Sequence, residues 1–319
     1  LGYLDGKVAI VTGGGRGIGR AHALKLSREG AAVLVNDLGA AIDGEGAVSS
    51  GPAAEVAEEI IAAGGRAAID TTDVSDWDGV GGLVEAALDA FGRLDIVVNN
   101  AMIARFCTID QVTRDDWERT IAVGLNGTAA VCHWASAHWR KQGPEAGRRI
   151  INTSSAVGLT PMGNNPMYVA VKAGVAALTI ACAVELADLG VRANALAPVA
   201  RTRVSEFVAG PLMSQIPEGF DRMAPDHVAT LGAFLASPLC RFTGRVFGVV
   251  GDDVTIFEGW SAERHLDNDE KPWTVEALAA VLRDVPLQQD GWTQAIKGKQ
   301  PHFTPPHAAL EQLAAVENG

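Results

Sequence analysis

Short, mostly apolar runs alternate with longer stretches of helical periodicity through about residue 250. The runs predict strands over Lys7–Thr12, Ala32–Asp37, Arg66–Thr71, Asp95–Asn99, Arg149–Ser154, Arg192–Leu196 and Val246–Val250. Unbroken apolar runs, in place of strict alternation, suit parallel strands covered on both faces. The stretches between them predict helices over Ile18–Glu29, Ala53–Ala63, Asp76–Phe91, Asp115–Arg140, Met167–Asp188 and Pro225–Leu235. Repeated strand–helix units predict an α/β fold: a doubly wound parallel sheet of about seven strands with helices on both faces. Beyond Gly251 the rhythm stops, leaving Pro-interrupted segments and two short amphipathic stretches, Thr274–Asp284 and Ala308–Val316. The expected division is therefore a main domain over 1–251 and a C-terminal extension over 252–319. Left free, the extension would expose Trp260, Trp273, Trp292 and Phe303, so it is expected to dock on the core or on a partner subunit.

The turn after the first predicted strand reads Thr12-Gly13-Gly14-Gly15-Arg16-Gly17-Ile18-Gly19-Arg20. A buried strand breaking into glycines and then a helix is how open α/β sheets seat a pyrophosphate. Gly13 suits the tight turn, Gly17 lets backbone approach phosphate, and Gly19 lets the helix pack close to the sheet. Helix-terminal N–H groups and the dipole then hold the anion. With 36 glycines in the chain, the same turn could serve only as a turn, so its context matters. The second predicted strand ends in Asp37, 18 residues beyond Gly19, where a dinucleotide fold places the acid that binds the adenosine ribose. That carboxylate would repel a 2′-phosphate and favours NAD. Arg16 pulls toward NADP, or contacts the diphosphate or solvent. The Leu38–Pro52 connection is long for its class and is expected near the adenine end.

Composition narrows the alternatives. A chain of 319 residues with 48% apolar content can bury a full core. The net charge of −12 argues against a nucleic-acid surface, which needs clustered Lys and Arg. The four cysteines, Cys107, Cys132, Cys182 and Cys240, form no C-x-x-C pair and read as buried residues of a reducing compartment. No signal-peptide pattern precedes the first strand, and the apolar helix near Val169–Val184 carries Lys172. No membrane span is expected, and the expected location is cytoplasmic. The seven histidines show no metal-binding spacing, and neither Gly-x-Ser-x-Gly nor Gly-Lys-Ser/Thr occurs.

A second constellation is Tyr168-x-x-x-Lys172, with Ser155 13 residues before the tyrosine. Positions i and i+4 share a helix face, so phenol and ammonium can point into one cleft. Hydride transfer at an alcohol carbon requires a partner that moves the hydroxyl proton. A phenol of reference pKa about 10 needs roughly 4 kcal/mol of differential stabilisation to do so near neutral pH. A nearby Lys172 ammonium and an oxidised nicotinamide are expected to supply it, and Ser155 would hold the substrate oxygen beside Tyr168.

With these motifs the chain resembles the short-chain dehydrogenase/reductase family from residue 4 to about 250. The resemblance rests on the Thr-Gly-x-x-x-Gly-x-Gly turn, Asp73-Val74, Asn99-Asn100-Ala101, Ser155, Tyr168 and Lys172. It implies a Rossmann-like domain, NAD(P)-linked interconversion of a secondary alcohol and a ketone, and Ser155, Tyr168 and Lys172 as catalytic residues. The implied cofactor contacts are Gly13, Arg16, Gly17, Ile18, Gly19, Asp37, Asp73, Val74, Asn99, Ala101, Tyr168, Lys172, Pro198 and Thr202. A homo-oligomer, dimer or tetramer, built through the helices at Asp115–Arg140 and Met167–Asp188 is also implied. Three positions depart from the family pattern: Met102 stands where Gly is usual, Val199 where Gly follows Pro, and Gly124 where Asn is usual. They leave open a nucleotide-binding sensor or scaffold without turnover. Despite Gly124, its carbonyl is expected to keep a water relay to Lys172, helped by distortion of a mid-helix glycine.

The loop Asn36-Asp37-Leu38-Gly39 with Asp43-Gly44-Glu45-Gly46 further resembles the dehydrogenase part of peroxisomal multifunctional enzymes, which act on (3R)-hydroxyacyl-CoA. This implies a hydrophobic acyl thioester, steroid or terpenoid substrate. Met102, Ile103, Leu159, Met162, Phe207, Leu212 and Met213 are expected to line its pocket under a lid over Arg201–Arg222. Arg201 or Arg203 is a candidate contact for a CoA phosphate.

Overall fold

The computed structural model describes residues 2–159, 165–216, 218–257, 267 and 272–283. Its strands are β1 (Val8–Thr12), β2 (Ala32–Asn36), β3 (Ala67–Asp70), β4 (Ile96–Asn99), β5 (Arg148–Thr153), β6 (Val191–Pro198), β7 (Val246–Val250) and β8 (Asp253–Phe257). The helices are α1 (Gly17–Arg28), α2 (Gly51–Ala62), α3 (Val80–Phe91), α4 (Arg114–Ile121), α5 (Gly127–Gln142), α6 (Ala156–Leu159), α7 (Pro166–Glu185), α8 (Arg203–Ala209), α9 (Pro225–Ala236) and α10 (Val275–Leu282). The strands form one sheet in the order β3-β2-β1-β4-β5-β6-β7-β8, parallel except for β8.

The apolar runs work as two-sided strands. In β1, Ala9 and Val11 feed the core under α1, α2 and α9, while Ile10 feeds the core under α3, α5 and α7. Val33 and Val35 against Leu34 repeat this division in β2, as do Ile96 and Val98 against Val97 in β4. Both faces are covered, so consecutive positions can all be apolar. Helix α7 is long and apolar enough to cross a membrane by length and composition. Here its Val175, Ala176, Cys182 and Ala183 are buried within the protein.

Strand order reverses between β1 and β4, both of which run parallel to each other. Such a switch point opens a crevice at the carboxyl ends of the strands, and ligands of open α/β sheets bind there. The glycine turn after β1, Asp37 after β2 and Ala101 after β4 all lie at this end.

Two expectations need correction. The sheet has eight strands, not about seven, because β8 turns back on β7 and carries the sheet past Gly251 to Phe257. Val250 pairs with Asp253 across a two-residue hairpin, and Gly251 holds φ +58°. The single helix expected over 115–140 is instead α4, a π-helical turn at Ala122–Asn126, and α5. In that turn the Gly127 N–H donates to the Ala122 carbonyl, five residues back. Of the predicted features beyond 257, Trp260, Trp292, Phe303 and the stretch Ala308–Val316 lie outside the described residues.

Candidate active site

The site is assembled from strand ends tied to one another. The Thr12 hydroxyl accepts the Asn100 and Ala101 N–H groups at 3.1 and 3.2 Å. The Asn100 amide donates back to the Thr12 and Gly13 carbonyls at 3.2 and 3.1 Å. These bonds lock the end of β4 against the glycine turn, a positioning role for Thr12 and Asn100 that the motif reading overlooks. A Cβ on Gly19 would lie 1.9 Å from the Gly13 carbonyl oxygen, so only glycine lets α1 begin this close to β1. Gly17 (φ +53°) leaves space in front of it, and the nearest atom to a Cβ there would be Thr202 Cγ2 at 3.6 Å. That opening between the start of α1 and Thr202 is a cradle shaped for an anion.

Asp37 closes the other end of the cradle. One carboxylate oxygen accepts the Gly15 N–H at 2.9 Å and the other the Gly39 N–H at 2.8 Å. Asp73 accepts the backbone and hydroxyl of Ser75 at 2.9 and 2.8 Å, shaping the turn after β3. A cavity of about 800 Å³ runs from here to the tyrosine. Gly13, Arg16, Gly17, Ile18, Asp37, Asp73, Val74, Ala101, Ser155, Tyr168, Lys172, Pro198 and Thr202 all line it. Gly19 and Asn99 do not. Asn99 is 3% exposed and donates to Asn152 Oδ1 at 2.9 Å beneath the cleft. The residues present fit a dinucleotide: an acid for a ribose, an open glycine cradle for a diphosphate, and the tyrosine at the far end.

At the chemical end, α7 begins at an Asn165 cap that accepts the Tyr168 N–H. Lys172 is 4% exposed, and its Nζ donates to the Thr153 carbonyl at 2.6 Å. Burial lowers its pKa to about 8. The same Nζ lies 5.4 Å from the centre of the Tyr168 ring. Burial pushes the Tyr168 phenol above its ordinary pKa, and its hydrogen bond with Ser155 works against that push without overcoming it. The expected lowering of the phenol by Lys172 is thus not supplied by the protein's own groups. Desolvation of the phenol dominates, and the lysine's ammonium is itself weakened by burial.

Gly124 and Met102 explain each other. A Cβ on Gly124 would lie 2.5 Å from Met102 Sδ and 2.6 Å from Val171 Cγ1. The methionine occupies the room that a side chain at 124 would take, so the two departures compensate sterically. The π turn is the helix distortion expected at Gly124, and the Gly124 carbonyl accepts the Thr128 hydroxyl at 2.8 Å.

Met102 and Ile103 line the cavity, together with Phe106, Val157 and Val199. Of the other expected pocket residues, Leu159 packs on a small core cluster with Ala156, and neither it nor Met213 lines the cavity. Met162 and the side chains of Phe207 and Leu212 lie outside the described residues. Arg201 is a structural tie: it forks onto both Asp221 oxygens at 2.7 and 2.8 Å and donates to the Met213 carbonyl at 2.6 Å. This joins the two ends of the 201–222 segment.

Comparisons with known proteins bear on the family. The short chain dehydrogenase family profile matches residues 7–206. The hydroxyacyl-CoA dehydrogenase ChsB1 of Mycobacterium tuberculosis is 38% identical over 88% of this chain and 89% of its own length. The mouse peroxisomal multifunctional enzyme type 2 is 37% identical over 77% of this chain, which spans 32% of that larger protein. Among solved structures, a short chain dehydrogenase from Mycobacterium avium superposes with a TM-score of 0.78 at 40% identity, covering 95% of this chain and 99% of its own. With the Ser155–Tyr168–Lys172 group on one cleft and the family profile spanning most of the sheet, the chain belongs to the short-chain dehydrogenase family, whose members are oxidoreductases using nicotinamide cofactors.

Proposed function

We propose that the protein is an NAD-dependent dehydrogenase that interconverts a secondary alcohol and a ketone on a hydrophobic acyl thioester, working as a homo-oligomer. The observation that carries this reading is the junction of two surfaces at Tyr168. One is the dinucleotide cradle, and the other is an apolar wall of Met102, Ile103, Phe106, Val157 and Val199. An apolar wall suits an acyl or polycyclic body. The relatives named for hydroxyacyl-CoA chemistry favour the thioester among such substrates.

In the oxidising direction, Ser155 orients the substrate oxygen beside the phenol. Tyr168 Oη takes the hydroxyl proton as the carbinol carbon gives up its hydride. Lys172, held on the Thr153 carbonyl, stands beside the phenol on the same face of α7, its Nζ 5.4 Å from the ring centre. A bound oxidised nicotinamide would accept the hydride and add positive charge near the phenol. Gly13, Gly17, Asp37, Asp73 and Thr202 would hold the dinucleotide. Asp37 favours NAD because its carboxylate, fixed by two backbone N–H groups, would lie against a 2′-phosphate.

The test is NADH formation across hydroxyacyl-CoA, hydroxysteroid and terpene-alcohol substrates with wild type and Tyr168→Phe. Turnover on a hydroxyacyl-CoA that falls at least about a hundredfold in the variant is expected, as for loss of a general acid–base. Equal rates would remove Tyr168 from the chemistry, and turnover only on the other alcohols would overturn the substrate class.

A further inference from the structure

The connection after β2 begins at Asp37, in the dinucleotide cradle, and then crosses to the segment after β4. The Ile42 carbonyl accepts the Ala104 N–H at 3.0 Å. Gly44 (φ +84°) lies against Ile103, where a Cβ would come 3.0 Å from Ile103 Cγ2. Two arginines fasten this contact. Arg105 donates to the Asp43 carbonyl at 3.2 and 3.3 Å and to the Glu45 carboxylate at 2.9 Å. Arg119, on α4, donates to the same carboxylate and to the Gly44 carbonyl, the latter at 3.0 Å. The half-buried Ile42 lines the main cleft with Ile103 and Phe106. A second cavity of about 490 Å³ is also lined by Ile42 and Phe106, the two residues that both linings share. Its other walls are mostly charged. Arg105 there is already paired with Glu45 and Asp116, and the Asp43 carboxylate accepts the Glu45 N–H.

We propose that Ile42 is a specificity-determining residue, which sets how large an apolar substrate body the cleft admits, and that Glu45 is a positioning residue holding it there through Arg105 and Arg119. This role rests on the dehydrogenase reading above and deepens it, because it names what limits the acyl body. The apolar wall runs through Ile103 to Ile42 and Phe106. Past those two side chains an acyl chain would strip water from charged groups without offering them a partner, which is costly. The acyl body therefore ends at Ile42 and Phe106. Shortening Ile42 opens the second cavity to it, over Ala104 and the methylene stem of Arg105, and a larger side chain at 42 shortens the space further.

The experiment is steady-state kinetics of the full chain on 3-hydroxyacyl-CoA substrates of increasing acyl length, for wild type, Ile42→Ala, Ile42→Phe and Glu45→Gln. The ratio of kcat/KM for long over short acyl chains should rise about tenfold in Ile42→Ala and fall by a similar factor in Ile42→Phe, with the change in KM. ADP-ribose, titrated calorimetrically, should bind all four proteins alike. Glu45→Gln should shift the ratio in the direction of Ile42→Ala by about threefold. High salt should produce that shift in wild type and not in Glu45→Gln, since the arginine pairs are partly exposed and screened. Ile42 variants that move the ratio in the same direction, or leave it unchanged, overturn the proposal. So does weaker ADP-ribose binding in Ile42→Ala, which would assign the residue to the adenosine half. Wild-type selectivity in Glu45→Gln removes the carboxylate from the holding role. If wild type oxidises only hydroxysteroids or terpene alcohols, the thioester reading falls. Ile42 then stands if the opposite shifts appear with the size of those alcohols, and falls if they do not.

Discussion

His22 makes acid stability of this fold a measurable consequence of one side chain. It lies on α1, fully buried, and among the described residues neither ring nitrogen has a hydrogen-bond partner. Its ring fills the contact between α1 and α9, where a Cβ on Gly232 would lie 2.4 Å from His22 Cε1. Burial lowers its pKa from 6.5 to about 4, so the folded protein keeps the ring neutral. Below pH 6.5 the unfolded chain takes up a proton that the folded one refuses. Stability is therefore full above that pH and falls as pH drops toward 4. Between pH 7.5 and 5 the loss from this group is about 2 kcal/mol, approaching about 3 kcal/mol at the folded pKa. His22→Met keeps a long, adaptable apolar group and removes both unpaired nitrogens. Urea unfolding at pH 7.5, 6.5, 5.5 and 5 should show the wild type losing that amount more than the variant. The same decline in both proteins would refute the reasoning, because carboxylates common to the two would then carry all the acid sensitivity.

Three further outcomes are expected. Gly124→Asn alone should destabilise by about 1–3 kcal/mol through overpacking against Met102 and Val171, and adding Met102→Gly should recover much of it. Strictly additive unfolding energies across that double-mutant cycle would mean that the two positions do not compensate. Lys172→Met should abolish turnover while stabilising the fold at pH 7 by up to about 3 kcal/mol, because the folded lysine pKa of about 8 lies below its ordinary 10.5. The wild-type penalty should fade as pH rises from 8 to 10.5, and a lower midpoint for Lys172→Met at pH 7 would contradict this. Asp37→Ala should narrow the preference for NAD over NADP in kcat/KM and lower the melting temperature, since the Gly15 and Gly39 N–H groups lose their acceptor. A wild type that already prefers NADP would overturn the cofactor assignment.

How legible each part was in the sequence follows from the kind of signal it leaves. Parallel strands buried on both faces must be apolar at consecutive positions, so β1, β2, β4 and β7 stand out with little more than end effects to correct. Strand β8 is exposed at four consecutive positions, Asp253–Ile256, with Val254 and Ile256 more than two-fifths exposed. Its clue is the turn instead: Gly251-Asp252 between two apolar runs is a hairpin pair. The π turn leaves no periodic trace, because one extra residue shifts the register of a helix without ending it. Spacing brought Tyr168 and Lys172 to one face, as it should at i and i+4. Depth is another matter: spacing carries no information on how far each group is removed from water, and that desolvation sets the direction of both pKa shifts.

The departures at 102 and 124 show why motif positions are better judged in pairs. Taken singly, a methionine beside the cofactor cleft and a missing asparagine both read as damage to a catalytic site. In the fold they are the two halves of one contact, since a Cβ on Gly124 would lie 2.5 Å from Met102 Sδ. A large side chain on the β4 side is matched by its absence on the helix side. The Ser155–Tyr168–Lys172 group beyond them keeps its place: Lys172 still donates to Thr153, and Tyr168 still meets Ser155. What the exchange adds to the cleft is the Met102 side chain, which lines it. A thioether there makes the wall apolar and adaptable in shape. The exchange therefore counts against loss of catalysis and in favour of an enzyme whose substrate side has been made greasier.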